Sequence, residues 1–132
     1  MAIDFHPKAG MVLRCDLRGS VLPEMTKVRP VVVITPSYLQ RKGLATIVPL
    51  STQRPPDICA YHVRLEEPAF ADAAPEVWAK CDLAMSVSYA RLDRIRLRSG
   101  EWVTGAVCAA DLRAIYLGVA CGFGVDVRQW RR

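Results

Sequence analysis

The stretch Val28-Arg29-Pro30-Val31-Val32-Val33-Ile34-Thr35 decides the fold class of this chain. It contains four consecutive apolar β-branched residues followed by Thr35, and the prolines at positions 30 and 36 bound this run. Branching at Cβ favours extended backbone, and an unbroken apolar run of this length is typical of a strand buried on both faces. The pattern therefore predicts a buried β-strand here.

Other apolar stretches also have the character of strands rather than helices. Tyr61, Val63 and Leu65 alternate with polar residues and so share one face of a predicted strand. Pro49 indicates that the strand containing it bends or reaches an edge. The predicted strands cover residues 11–17, 28–35, 45–51, 61–66, 76–83, 87–97 and 101–107.

The apolar spacing changes near the end of the chain. Residues 109–121 carry apolar side chains at steps of three and four, which predicts an amphipathic helix that stops at Gly122. Asp111, near its start, suits the positive end of the helix dipole. Six or seven short strands and a closing helix predict a mostly β fold, a curled and barrel-like antiparallel sheet.

Composition and charge exclude several classes of protein. The 132 residues are 52% hydrophobic, which is enough for a core and excludes a disordered chain. The net charge of +5 favours an anionic partner. The longest uncharged segment, residues 114–125, is shorter than the roughly 20 apolar residues of a membrane span, and the N-terminus lacks a signal-peptide pattern. We expect a cytoplasmic protein with no membrane association and one domain over residues 1–132, including an N-terminal arm at 1–9 and a basic tail at 125–132.

The five cysteines lie at positions 15, 59, 81, 108 and 121, a spacing that fits neither a structural zinc site nor a disulfide framework. We expect reduced, mostly buried thiols, no metal site and no cofactor. Cys81 is expected to be a core side chain rather than a nucleophile, because neither His6 nor His62 is placed to activate it.

Four groups of polar residues are candidates for chemistry, and the first precedes the buried strand. Glu24 and Lys27 lie in a loop, and Pro30 restricts Arg29 to extended backbone at the mouth of the strand. There the guanidinium could bind two oxygens of a phosphate. An exposed loop whose charges are simply solvated explains the same residues.

The second group is Ser51-Thr52, followed by Arg54. Hydroxyls at the end of a strand could bind phosphate or ribose oxygens, although such a pair commonly starts a turn. In the third group, alternation along a strand predicts that Trp78, Lys80 and Asp82 share one face. A lysine and a carboxylate so placed could donate and accept protons, or could form a surface ion pair.

The fourth group is a run of arginines. Arg94, Arg96 and Arg98 share one face if this segment is a strand. Such a basic face suits the phosphates of a nucleic acid, and a solvated outer face is the alternative interpretation.

These segments together resemble the PemK/MazF family of toxin endoribonucleases from bacterial type II toxin–antitoxin systems. The resemblance runs from Gly10 to the C-terminal helix, and the order and spacing of its segments are more specific than any one of them. Lys80 stands where the PemK branch has arginine, and Pro23 where that branch can carry histidine. The matching segments are Gly10-Met11-Val12-Leu13, Glu24, the Arg29-Pro30 signature with its apolar strand, Val48-Pro49-Leu50-Ser51-Thr52 and Lys80-Cys81-Asp82.

The resemblance implies an SH3-like barrel of the PemK/MazF/CcdB type with a C-terminal α-helix, which forms a homodimer. It further implies a groove for single-stranded RNA, metal-independent cleavage at a short sequence, and inhibition by a small PemI/MazE-like antitoxin, with which the toxin also binds DNA. RNA supplies its own nucleophile, the 2′-hydroxyl, so the protein needs only a base, an acid and a charge clamp.

Roles for individual residues follow from this resemblance. Asp82 is the expected general base, and Arg29 is the clamp on the scissile phosphate. Lys80 protonates the 5′-oxygen or neutralises the developing charge, while Thr52 and Ser51 orient the phosphate. The expected catalytic residues are Arg29, Asp82, Lys80, Thr52 and Glu24, and the expected RNA-binding residues are Ser51, Arg54, Lys27 and Trp78.

Glu24 is expected either to be an alternative base or to position Arg29. Two other functions fit the same barrel. One is a CcdB-like, non-catalytic toxin that inhibits a protein such as gyrase. For such a toxin four of the candidate site residues would be dispensable, namely Arg29, Thr52, Lys80 and Asp82. The other is a catalytically inactive barrel that binds RNA or DNA without cutting it.

Overall fold

The computed structural model describes residues 3–130 of the chain. The described part contains short strands, one α-helix and four 3₁₀ turns, at Ser37–Leu39, Cys81–Leu83, Tyr89–Arg91 and Val127–Trp130. The strands and the helix are β1 (Met11–Asp16), β2 (Val28–Val33), β3 (Leu44–Ser51), β4 (His62–Arg64), β5 (Trp78–Lys80), β6 (Met85–Ser88), β7 (Leu92–Asp93), β8 (Ile95–Arg96), β9 (Trp102–Val103), β10 (Gly105–Ala106) and α1 (Ala109–Gly122).

The strands form a curled antiparallel sheet in the order β10-β1-β2-β3-β5-β4, with β6 added to β3 and β7 added to β1. Strands β8 and β9 form a separate two-stranded hairpin. The predicted mostly β, barrel-like fold with a C-terminal helix is therefore confirmed. No helix within residues 3–130 is long and apolar enough to cross a membrane.

Strand β2 lies between two hydrophobic clusters. Val31, Val32 and Val33 all have 0% of their surface exposed. Because side chains alternate along a strand, Val32 packs into the cluster beneath helix α1 with Ile115, whereas its two neighbours pack into a second cluster with Leu13. The prediction of a strand buried on both faces is confirmed.

The sheet opens between the ends of β2 and β3. The ladder between them pairs Val33 with Ile47 and Val31 with Pro49, and it stops there. Pro30 has no N–H to extend it. On the opposite edge of β3, the last two residues of the strand pair with β5. Pro49 thus marks a change of partner on one edge of β3, from β6 to β5, and the strand continues to Ser51.

Two predicted strands are shorter than the sequence indicates. The strand expected over residues 76–83 ends at Lys80 and is followed by the 3₁₀ turn Cys81–Leu83. Cys81 is fully buried, and a Cβ atom on Gly118 of α1 would lie only 2.8 Å from its sulfur. The helix therefore packs directly on this turn. The segment expected over 87–97 is likewise divided, into β6, a 3₁₀ turn, β7 and β8.

Helix α1 forms where the spacing predicts it. Asp111 near its start is 2% exposed, and its carboxylate accepts hydrogen bonds from the backbone N–H groups of Glu66 and Glu67. These bonds hold the loop after β4 against the beginning of the helix. At the other end of the chain, Ile3 is buried and its N–H donates to the carbonyl of Leu92, which attaches the N-terminal arm to the barrel.

Candidate active site

An open pocket of about 700 Å³ lies where β2 and β3 diverge. One wall is the loop after β4, which carries mostly alanine, proline and other apolar side chains, and the opposite wall is polar. The polar and charged residues on the pocket wall are Lys27, Arg29, Ser51, Thr52, Gln53, Glu66, Glu67 and Lys80. Five of the nine predicted site residues thus come together, namely Lys27, Arg29, Ser51, Thr52 and Lys80.

Arg29 is the central cation of this wall. Its side chain is half-buried, and its Nε is buried without any hydrogen-bond partner within the described chain. A buried donor of this kind costs free energy unless it gains an acceptor. Arg29 lines the open pocket, so an oxyanion that enters could accept from its guanidinium, and it would reach Nε itself once the side chain shifts. This arrangement supports the predicted clamp.

The position of Ser51 and Thr52 beside Arg29 follows from the register of the sheet. If the β2–β3 ladder continued beyond Val31 and Pro49, Arg29 would lie opposite Ser51. Ser51 is 6% exposed, and its Oγ accepts a hydrogen bond from the N–H of Gln53 at 3.1 Å, which makes it part of the turn. Thr52 is exposed on the pocket wall and is the hydroxyl available to a ligand.

Lys80 completes the cationic side of the pocket. It is the last residue of β5 and is half-buried on the wall, directly before the backbone turns at Cys81. Together with Lys27 and Arg29 it places three positive charges around one opening. Such an arrangement suits a phosphodiester, whose charge is negative at every pH of interest.

Asp82 does not share a face with Lys80, contrary to the sequence prediction. Asp82 is exposed in the 3₁₀ turn Cys81–Leu83 and is not among the residues that line the pocket. Its backbone packs so closely on the end of α1 that a Cβ atom on Gly122 would lie 3.0 Å from its Cα. A hydrogen bond to Cys59 raises the pKa of Tyr61, and the negative charge of Asp82 raises it further by a smaller amount.

Glu24 also lies outside the pocket wall. It is exposed in the loop between β1 and β2, and its Oε1 accepts a hydrogen bond from the backbone N–H of Val21 at 2.6 Å. In this structure, Glu24 stabilises its own loop.

Two predicted RNA-binding residues are held by Glu76. The indole N–H of Trp78 donates to Oε2 of Glu76 at 2.8 Å, and Arg54 forms an ion pair with the same carboxylate at 3.2 Å. The hydrogen bond from Trp78 lowers the pKa of Glu76 below its usual value, and the contact with Arg54 lowers it further by a smaller amount. Trp78 is only 5% exposed, so in this structure it supports the wall from behind and presents no face to a base.

Sequence reasoning missed the loop that forms the other wall. Glu66 and Glu67 bring two carboxylates to the pocket, and Asp111 and the backbone of Ala106 hold the loop in place. Gly105 permits this approach, because a Cβ there would lie 2.6 Å from the carbonyl oxygen of Ala69. No group of three His, Cys, Asp or Glu side chains within residues 3–130 could hold a metal ion.

The cysteines differ sharply in exposure, which predicts their reactivity. Burial raises the pKa of the Cys81 thiol to about 12 and that of Cys15 to about 11, whereas Cys59 is exposed. Because the thiolate is the reactive form, iodoacetamide should alkylate Cys59 and spare Cys15 and Cys81 in the folded protein. Peptide mass mapping checks this, with protein unfolded in urea as the control. Rapid native modification of Cys81 would contradict its expected role as a core side chain.

Comparison with known proteins identifies the family. A family model described as PemK-like, MazF-like toxin of type II toxin–antitoxin system matches residues 8–112. YifN, an uncharacterized protein of Escherichia coli K12, is 33% identical to this chain. The alignment covers 76% of this chain and 80% of YifN.

Solved structures of the same architecture agree with this match. MazF from Deinococcus radiodurans superposes with a TM-score of 0.68 at 18% identity, covering 92% of this chain and all of that one. An endoribonuclease from a mycobacterial species, in complex with its cognate antitoxin, superposes with a TM-score of 0.64 at 18% identity, covering 91% of this chain and 97% of that one. The chain belongs to the PemK-like, MazF-like family of toxins of type II toxin–antitoxin systems.

Proposed function

We propose that this protein is a toxin endoribonuclease that cuts single-stranded RNA at a short sequence without a metal ion. The observation that carries the proposal is Arg29, which lines an open pocket together with Lys27 and Lys80 and whose buried Nε has no hydrogen-bond partner among the described residues. A site built to hold a phosphodiester needs such a donor. The endoribonucleases of the same fold support RNA as the substrate.

In the proposed reaction, the 2′-hydroxyl of RNA is the nucleophile. A carboxylate removes its proton, the 2′-oxygen attacks the adjacent phosphorus, and the bond from phosphorus to the 5′-oxygen breaks. Arg29 binds the non-bridging oxygens as their charge increases, and Thr52 donates its hydroxyl to the same group. Lys80 gives a proton to the departing 5′-oxygen. The products are a 2′,3′-cyclic phosphate and a 5′-hydroxyl.

We propose Asp82 as the base, on the Lys80-Cys81-Asp82 pattern of the family. Asp82 is exposed two residues after Lys80, in the turn that follows β5, so its carboxylate is open to a ligand. Hydrogen bonds of catalytic groups commonly tighten only when the substrate is bound. The structure offers Glu66 and Glu67 on the pocket wall as the competing carboxylates.

Substitution separates these carboxylates. Asp82→Asn should lower the rate of RNA cleavage by about 100-fold or more, as is typical for loss of a general base. Glu66→Gln and Glu67→Gln are matched controls that should retain most of the activity. Single-turnover cleavage of one RNA by the three variants is the measurement. An inactive Glu67→Gln or Glu66→Gln variant beside an active Asp82→Asn variant would assign the base to the loop instead.

The proposal includes two protein partners. A small PemI/MazE-like antitoxin would inhibit the enzyme by placing an acidic segment over Lys27, Arg29 and Lys80, where RNA would otherwise bind. A second copy of the chain would complete a homodimer, as the family resemblance implies, and binding of DNA together with the antitoxin and a cytoplasmic location belong to the same proposal.

A test of the proposed function compares RNA with DNA. Purified protein should cut a long single-stranded RNA at discrete positions and leave DNA of the same sequence intact. A single 2′-deoxy substitution at a mapped site should block cleavage there and nowhere else, because it removes the nucleophile. Folded protein that cuts no RNA but binds it would favour an inactive nucleic-acid-binding barrel. Toxicity that survives Arg29→Ala would favour a CcdB-like poison of a protein target.

A further inference from the structure

The β8–β9 hairpin has an outer face that the proposed active site does not use. Ile95 pairs with Val103 on the inner face, which packs into the core, and Arg96 pairs with Trp102 on the outer face. The guanidinium of Arg96 lies over the indole ring at 5.5 Å from its centroid. Trp102 is nevertheless 45% exposed, so one of the largest apolar side chains of the protein faces solvent.

Two more arginines flank this pair, as the alternation in the sequence predicts. Arg94 lies over the ring of Phe5 at 4.9 Å and within 3.6 Å of the Asp4 carboxylate. Arg98 is exposed at the tip of the hairpin. The outer face thus combines a planar aromatic ring with a row of positive charge.

The hairpin is attached to the wall of the pocket. The backbone N–H of Arg98 donates to the carboxylate of Asp72 at 2.5 Å. Asp72 lies in the loop after β4, between Ala71 and Ala73, and both of these alanines line the pocket. The tip of the hairpin therefore lies beside the loop that forms one wall of the pocket.

We propose that the outer face of the β8–β9 hairpin is a second RNA-binding surface, on which a base of the single-stranded RNA held in the pocket stacks on Trp102. Arg96 holds the ring and offers its charge to the neighbouring phosphate. Exposed aromatic rings beside arginines bind single strands in this way, because every base has a π-face and every linkage has a charge. The inference rests on the proposed function, since it concerns the same RNA.

Binding can be measured without cleavage. The probe is a fluorescent single-stranded RNA of mixed sequence with 2′-O-methyl riboses, which lack the nucleophile, in a version of about 12 nucleotides and a version of about 4. Trp102→Ala should weaken binding of the longer RNA about tenfold, the typical effect of losing one stacked base, and leave the shorter RNA unaffected. Trp102→Phe retains a ring and should restore most of the affinity.

Controls separate stacking from a loss of fold. Tyr38→Ala removes an aromatic ring that is 82% exposed outside the pocket, and it should bind both RNAs as the wild type does. Thermal unfolding should show that the hairpin variants are folded. In addition, the longer RNA should quench the part of the tryptophan fluorescence that Trp102→Phe removes, a readout that requires no loss of affinity.

The outcomes distinguish this inference from the proposed function. Equal affinity of wild type and Trp102→Ala for the longer RNA, with no quenching, overturns the second surface alone. Wild-type protein that binds neither RNA overturns the proposed function and this inference with it. A Trp102→Ala variant that loses affinity for an acidic antitoxin segment but not for RNA assigns the surface to a protein partner, which also overturns the inference.

Discussion

Replacing Arg29 by alanine should reduce RNA cleavage by at least about 100-fold, the typical effect of losing one donor to a developing oxyanion. The reason is the position of the Arg29 side chain on the pocket wall. Arg29 lines the pocket, and within residues 3–130 its buried Nε has no hydrogen-bond partner, so the guanidinium retains hydrogen-bonding capacity for a ligand. The measurement is the single-turnover rate of cleavage of one mapped RNA site.

Two further variants are matched controls for the charge of Arg29 and for its position. Arg29→Lys keeps the charge but loses the planar pair of donors, and its rate should lie between those of wild type and Arg29→Ala. Arg41→Ala removes the same charge from an exposed position outside the pocket and should leave the rate unchanged.

The loss of cleavage in Arg29→Ala should not be accompanied by a loss of thermal stability. Because Nε of Arg29 has no partner within residues 3–130, removing it costs no hydrogen bond at that atom, and the melting temperature of Arg29→Ala should equal or exceed that of wild type. An Arg29→Ala protein with wild-type cleavage rates would refute the clamp. Loss of activity accompanied by a large loss of stability would show that Arg29 is structural.

Asp111→Ala should destabilise the protein by about 2–3 kcal/mol, because the backbone N–H groups of Glu66 and Glu67 both lose their acceptor. A charge that favours the start of helix α1 is lost as well. The expected fall in melting temperature is about 10 °C. Urea unfolding measures the free energy directly.

The same change should loosen one wall of the pocket. The loop after β4 would then be held by fewer contacts, and the KM for RNA should rise more than kcat falls. Asp111→Asn retains one acceptor oxygen in the same place and is the matched control, with a smaller loss of stability. Unchanged stability of Asp111→Ala would show that the loop does not depend on this buried carboxylate.

The sequence predicts those parts of the fold that depend only on residues close to one another along the chain. Residues 31–33 form a buried strand because β-branched, apolar side chains favour it in any setting, and the helical spacing of residues 109–121 is equally local. For the same reason the Arg29-Pro30 signature and Ser51-Thr52 were predictable as strand-end residues, and the structure brings them to one pocket.

The remaining features depend on contacts that lie far apart in the sequence. The strand before Asp82 ends because α1 packs against Cys81, and no pattern within residues 76–83 reveals that contact. The loop that forms the second wall is placed by Asp111, 45 residues from Glu66. Whether Trp78 faces a ligand or the core is decided likewise, by burial and by its bond to Glu76.

The chemistry of the cut ends tests the central claim most directly. Purified protein is incubated with a long single-stranded RNA in EDTA, and the termini at each cut are identified by mass spectrometry. We expect discrete cuts that carry 2′,3′-cyclic phosphates and 5′-hydroxyls, because Arg29, Lys80 and a carboxylate suffice for attack by the 2′-hydroxyl. Termini with 3′-hydroxyls and 5′-phosphates, or cuts that appear only when a divalent metal is added, would contradict it.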